Sequence, residues 1–291
     1  MLRARLITGF LLVGGLLTLF AFDQRIGSVQ WCCGSLPQGL LLAALGMIAA
    51  PLAAIEFGSL CRGVHERCSM PVLLLSIEAW ILLYFMLPES TPASRVLGLV
   101  GTLVISSMAI SILVLSRGRD LRGVLAGSGL TVGVAAYLAI GLGMLLLIRR
   151  EHAVWWVAGI IAIVKMCDTG AFFVGCNFGR HKLIPWISPG KTWEGLAGGL
   201  LTAVGTAVLL AFASERWLPM EPVIPIGAAV LLGLLFGFAG QCGDLVMSVF
   251  KRDSGLKDTS SVLPGLGGVL DVFDSLLLVA PLAYWLLPTS S

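Results

Sequence analysis

The chain has 291 residues, of which 57% are hydrophobic and 12% charged, with a mean hydropathy of +0.97 and a net charge of +3. A soluble domain of this length needs many more charged residues to face water, so the composition excludes that class and leaves a membrane-embedded protein. The positive charges are scattered, and no basic tail or stripe suggests a nucleic-acid partner.

The N-terminus, MLRARLITGFLLVGGLLTLFAFDQR, imitates a signal peptide, with two arginines ahead of an apolar run. It lacks a small-x-small cleavage site before the charged DQR and reads as a retained first membrane helix. A bilayer core takes about 20 apolar residues per spanning helix. On that measure nine segments qualify, roughly 6–22, 40–58, 70–88, 96–116, 124–148, 154–177, 195–213, 223–249 and 267–287. The expected fold is therefore an all-α polytopic integral membrane protein of about nine transmembrane helices. Runs such as GLAGGLLTAVG and LLGLLFGFAG assign most of the 36 glycines to helix packing.

Seven cysteines lie at 32, 33, 61, 68, 167, 176 and 242 without a CxxC pair. The stretch CRGVHERC offers Cys61, His65 and Cys68 as three zinc ligands. With no fourth ligand or second cluster, the plainer reading is that they are ordinary residues.

With the N-terminus in the cytoplasm, thirteen lysines and arginines fall on the cytoplasmic side and five, Arg25, Arg95, Arg149, Arg150 and Arg216, on the other. The same orientation puts the two most polar connections, 178–194 and 250–266, at the cytoplasmic face. The chain reads as one membrane domain, 1–291, with an apolar helical part over 1–150 and catalytic helices and polar loops over 151–291. In the first part Glu56 and Glu78 are exceptions to an otherwise uncharged set of helices. The second holds Lys165, Asp168, Asp244, Asp271 and Asp274 in or at the ends of apolar segments.

A carboxylate at membrane depth costs at least a few kcal/mol, so it faces a polar cavity or a partner. Asp271 and Asp274 are three apart on one helix and share a face, where they repel unless a cation or proton intervenes. Asp244 lies near the cytoplasmic end of the preceding helix, with Ser248 one turn on. Three carboxylates and a hydroxyl at one membrane face favour Mg²⁺ or a similar hard cation. The plainer alternative for Asp271 and Asp274 is a salt bridge to basic residues of the bundle. Lys251, Arg252 and Lys257 beside these acids make a mixed-sign site, which a metal–polyphosphate complex requires.

The other polar loop, FGRHKLIPWISPGKTWEG, contains a basic cluster, Arg180, His181 and Lys182, followed by Ser188, Pro189, Gly190, Lys191 and Thr192. A P-loop is excluded because position 185 is Pro where GxxxxGK[ST] needs Gly. Gly-Lys-Thr at the start of a helix still offers N–H groups and a cation to an anion. His181 reads equally well as a solvated loop histidine. Upstream, Lys165 and Asp168 either pair with each other or lend Asp168 to a metal or substrate.

Taken together, SVFKRDSGLKD, SSVLPGLGG and DVFDS resemble the C-terminal signature of the phosphatidate cytidylyltransferases. Ser248, Lys251, Arg252, Lys257, Asp258, Pro264, Gly265, Gly267, Gly268, Asp271 and Asp274 match it in order and spacing. Gly243-Asp244-Leu245, the DTGA at Asp168, SPGKTWEG and the opening LRARLITG also look like family elements. The resemblance spans the chain and is specific from about 165 to 275. Two positions depart from it: the family His is Leu266, and the Arg between the two aspartates is Val272. Whatever contacts those residues supply elsewhere in the family are absent or relocated here.

The resemblance implies transfer of CMP from CTP to phosphatidic acid, giving CDP-diacylglycerol and pyrophosphate. It implies catalytic roles for Asp244, Asp271, Asp274, Lys251 and Arg252, and substrate contacts from Ser188, Lys191, Thr192, Ser248, Lys257, Asp258 and Asp168. The three catalytic aspartates are the expected holders of one or two Mg²⁺ ions, with a monovalent cation as an additional candidate. The implied partners are CTP, phosphatidic acid within bilayer lipid, and a second copy in a homodimer. A bacterial inner membrane with a cytoplasmic active site is the expected location. The competing readings are a kinase or CTP transferase for another lipid, and an ion-coupled transporter. A transporter would place its charges near the midplane and share them between repeated halves.

Overall fold

A computed structural model describes residues 2–27, 30–31, 34–35, 38–63, 67–88, 91–118, 121–216, 223–256, 259–260 and 267–288. Among the described residues there are nine helices: α1 (Leu2–Gly27), α2 (Leu40–Gly63), α3 (Met70–Met86), α4 (Ala93–Ser116), α5 (Val124–Glu151), α6 (Val154–Phe178), α7 (Trp193–Arg216), α8 (Ile226–Asp253) and α9 (Val269–Leu286). Each overlaps one of the nine apolar segments of the sequence. Seven, α2 and α4 through α9, are long and apolar enough to cross a bilayer, and α3 is a shorter apolar helix. The protein is an all-α polytopic membrane protein. Helices dominate because a segment in hydrocarbon must satisfy its own backbone N–H and C=O groups.

Exposure follows the same physics. On α4, Leu97, Ile105 and Leu113 are 74%, 71% and 65% exposed, and they point in different directions around the helix. In water such exposure would be a liability; in a bilayer it is lipid-facing surface.

Two short hairpins accompany the helices. Gln30–Trp31 (β1) pairs with Gly34–Ser35 (β2), and Lys182–Ile184 (β3) pairs antiparallel with Ser188–Thr192 (β4). The second corrects an expectation. Gly190 and Lys191 lie in β4 rather than at a helix start, and α7 begins only at Trp193. Thr192 is the residue that caps α7, its Oγ1 accepting the Gly195 N–H at 3.0 Å. Lys251 and Arg252, expected in a loop, form the last turn of α8, where cations complement the helix dipole. Gly255, at φ 71°, then turns the chain out of the helix.

The chain divides into two compact units, one of residues 1–11, 42–146 and 250–272, the other of 12–41, 147–249 and 273–291. In the first, α3 and α4 are joined by a buried hydrogen bond from Ser76 Oγ to Ser107 Oγ at 2.8 Å. In the second, α6 packs closely along α7, and Thr202 Oγ1 donates to the Met166 carbonyl at 3.0 Å. The second unit also buries an ion pair: Arg149 Nε lies 2.6 Å from Asp23 Oδ2, with the side chains 4% and 2% exposed. Asp23 Oδ1 accepts the Leu41 N–H, and Arg149 Nη1 donates to Gln38 and to the His152 carbonyl. Every charge there has a hydrogen-bond partner, as burial demands.

Candidate active site

In the second unit, α6, β4 and α8 bring five polar residues together. Lys165 Nζ is 3.5 Å from Asp168 Oδ2, one helical turn along α6. Gln241 Nε2 donates to Asp168 Oδ1 at 2.9 Å, and the Gln241 carbonyl accepts from Lys191 Nζ at 3.2 Å. Lys191 Nζ also contacts Asp244 Oδ2 at 2.8 Å. Gln241 and Asp244 are three apart on α8 and share a face, so one helix presents both partners to the β4 lysine. Asp168 and Asp244 remain about one-third exposed, and Lys191 is 16% exposed. The Lys165–Asp168 pairing read from the sequence is present, and Gln241 adds a neighbour that spacing did not show.

The β3–β4 hairpin is fastened next to this cluster. Glu194, in the first turn of α7, accepts the N–H groups of Arg180 and His181 and contacts His181 Nδ1 at 2.6 Å. Lys182 Nζ donates to the Pro189 carbonyl at 2.8 Å. His181 thus belongs to the hairpin's anchor. Ser188 is half-buried in β4, and Thr192 is buried beneath its capping bond. Ser248 is half-buried on α8, one turn beyond Asp244.

Asp274, on α9, is 5% exposed, and its Oδ1 accepts from the N–H and the hydroxyl of Ser275. Gly243 of α8 lies directly against this turn. A Cβ at Gly243 would sit 2.8 Å from the Asp274 carbonyl oxygen and 3.0 Å from Ser275 Cα. The Gly-Asp-Leu motif therefore uses its glycine for close helix approach and its aspartate for the lysine.

The first unit holds a second charged cluster. Lys251 Nζ contacts Asp271 Oδ1 at 3.0 Å, with the side chains 13% and 10% exposed. Asp271 Oδ2 accepts from the N–H groups of Thr259 (3.2 Å) and Gly268 (2.9 Å) and from Thr259 Oγ1 (2.9 Å). The bond to Gly268 is a capping-box contact, a third-position carboxylate reaching back to the N-cap amide. Gly267, at φ 89°, makes the turn that allows it. Glu56, from α2, joins the same network through Thr259, Ser260, Val269 and Leu270. Arg252 is exposed and Val272 half-buried.

Among the described residues no three His, Cys, Asp or Glu side chains form a metal-holding group. The site carboxylates instead face lysines, amides and hydroxyls. Lys257, Asp258 and Leu266 lie outside the described residues, as does His65 of the CRGVHERC stretch. Cys61 and Cys68 of that stretch are free thiols, and the neighbouring Cys61 holds the Cys68 thiol below the ordinary cysteine range.

Sequence reasoning missed Glu56, Gln241, Thr259 and Glu194 as parts of this arrangement. Gln241 was legible as the residue one turn before Asp244. Glu56 carried one signal, a carboxylate in an otherwise apolar helix, but nothing in its neighbourhood names partners more than 200 positions away.

The sequence profile of the cytidylyltransferase family matches residues 4–290. The chain belongs to the cytidylyltransferase family. Within that family it is 34% identical over 245 residues to phosphatidate cytidylyltransferases of Staphylococcus epidermidis and Staphylococcus aureus, covering 84% of this chain and 88% of theirs. It is also 40% identical over 126 residues to the Escherichia coli protein YnbB, covering 43% of this chain and 40% of that one. As a cytidylyltransferase the protein is a nucleotidyltransferase, and both lysine–aspartate clusters lie within the matched segment.

Proposed function

We propose that this protein transfers CMP from CTP to phosphatidate, forming CDP-diacylglycerol and pyrophosphate, at the cytoplasmic face of a bacterial inner membrane. The observation that carries the reading is the near full-length family match, shared with relatives named for this reaction. The orientation is supported by the thirteen-to-five bias of basic residues. The family resemblance further implies a homodimer.

A phosphate oxygen of phosphatidate attacks the α-phosphorus of CTP. The bond from that phosphorus to the bridging oxygen breaks, and pyrophosphate leaves with the electron pair. The lipid phosphate is already anionic near pH 7, so the protein needs no base to activate it. Its task is to bring two multiply charged anions together where their repulsion is large. Lys191, Lys251, Arg252 and Lys257 supply the positive charge. Lys191 and Lys251 are held in place by Asp244 and Asp271, so their ammonium groups are oriented before substrate arrives. Ser188, Thr192, Ser248, Asp168 and Asp258 are the proposed further substrate contacts.

By donor chemistry, Asp244, Asp271 and Asp274 fit a hard cation, since carboxylate oxygens are what Mg²⁺ takes. These three are the proposed holders of one or two Mg²⁺ ions, with a monovalent cation as a further candidate. Magnesium bound there supplies charge neutralisation at the triphosphate.

The test is incubation of the detergent-solubilised protein with cytidine-labelled CTP, Mg²⁺ and phosphatidate. Label in the lipid fraction, lost with EDTA and restored by Mg²⁺, is the expected result. Absence of label from CTP, with phosphoryl transfer from labelled ATP instead, overturns the reading in favour of a lipid kinase.

A further inference from the structure

Glu56 belongs to the part of the chain that its sequence marks as apolar scaffold, yet the residue is 5% exposed and both oxygens of its carboxylate accept hydrogen bonds. Oε1 accepts from Ser260 Oγ at 2.6 Å and from the Val269 N–H at 2.9 Å. Oε2 accepts from the Leu270 N–H at 2.8 Å and from Thr259 Oγ1 at 3.1 Å. Val269 and Leu270 are the first two residues of α9, whose N–H groups have no partner inside the helix. An anion there satisfies both amides and the positive end of the helix dipole. Glu56 therefore holds the N-terminus of α9, and the next residue of that helix is Asp271.

A second link runs through Thr259. Its Oγ1 lies 3.1 Å from Glu56 Oε2 and 2.9 Å from Asp271 Oδ2, but a hydroxyl has one hydrogen to give. Two carboxylates share that donor, so the position of one oxygen depends on the other. Gly267 and Gly268 leave room for this. A Cβ at Gly268 would collide with Glu56 Oε2 and Thr259 Oγ1, and one at Gly267 with Asp271 Oδ2.

We propose that Glu56 is a positioning residue for nucleotidyl transfer: through the start of α9 and through Thr259 it fixes Asp271 against Lys251. The proposal rests on Asp271 acting in that reaction. It gives α2 a part in the chemistry that the family signature, confined to the C-terminal half, does not assign.

The test uses the full chain in detergent, comparing Glu56→Gln, Thr259→Val and Thr259→Ser with wild type. Three quantities are measured: kcat and KM for CTP, hydrogen–deuterium exchange of the peptide covering 267–274, and the melting temperature. Glu56→Gln should speed exchange in that peptide and lower kcat by about tenfold or more, with KM for CTP within about twofold. Thr259→Val should lower kcat by several-fold, and Thr259→Ser, which keeps the hydroxyl, should restore it. Faster exchange with unchanged kcat makes Glu56 a structural cap only and overturns the proposal. Unchanged exchange overturns the contact itself, and equal losses in Thr259→Ser and Thr259→Val overturn the hydroxyl link. If Glu56→Gln does not fold, the two Thr259 variants decide. A wild-type protein without CMP transfer overturns the proposed reaction instead, a result distinct from any of these because no variant is needed to see it.

Discussion

Asp244 and Asp271 each hold a lysine, at 2.8 and 3.0 Å, yet their surroundings differ. Asp244 meets Lys191 of a β-hairpin and stays about one-third exposed. Asp271 is 10% exposed, caps its own helix through Gly268, and shares Thr259 with Glu56. In the first cluster the aspartate carboxylates face side chains, and Lys191 adds one contact to a backbone carbonyl, that of Gln241. The second is tied into backbone amides at a helix start, so its geometry is set by the fold. For enzymes that act on charged substrates the lesson is general. A lysine–carboxylate pair takes its rigidity from what else the carboxylate binds, and the ion pair itself contributes little of it.

The largest effects should come from neutralising the two aspartates. Asp244→Asn and Asp271→Asn should each lower CMP transfer by roughly a thousandfold, the scale of losing a main electrostatic group. Their stabilities should then diverge. Asp271→Asn gives up charged hydrogen bonds in a nearly buried site and should cost about 2 kcal/mol. Asp244→Asn breaks a pair whose acid is one-third exposed and should cost less than about 1 kcal/mol. Thermal melting in detergent reads the difference, and equal shifts would break the comparison.

Next in size is Gly243→Ala. The new methyl meets the Asp274 carbonyl and Ser275 Cα, backbone atoms that cannot rotate aside, so α8 and α9 must shift where they touch. A cost of about 1–3 kcal/mol is expected, together with lower activity because Asp244 follows directly on α8. Wild-type melting in that variant would refute the close approach. The smallest effect belongs to Lys165→Ala. Its pair with Asp168 is 3.5 Å long and more than a third exposed, and Asp168 keeps its bond from Gln241. The expected loss is below about 1 kcal/mol, with activity within a few-fold of wild type. A large loss of activity would move Lys165 into the substrate-binding set and bring the two clusters closer in character.

The sequence by itself determined the class of molecule and, among the described residues, the approximate place of each helix, because burial in hydrocarbon forces long apolar runs that are visible residue by residue. It also supplied the candidate acids and bases, since charge in an apolar helix is costly and marks a residue for attention. It offered Lys165 as a partner for Asp168 because one helical turn separates them, beside a metal or substrate contact as the alternative. What it could not determine was partnership over distance. Asp23 with Arg149, Lys191 with Asp244 and Glu56 with the start of α9 join residues far apart in the chain, and no local periodicity encodes such pairs. The hairpin that moves Gly190 and Lys191 away from the start of α7 was hidden for a similar reason, since Glu194, an acid in the first helical turn, fastens it through tertiary contacts. Tertiary structure decided which carboxylates are backed by backbone amides and which only by a lysine. That distinction depends on where helix ends fall in space, and three-dimensional packing alone sets it.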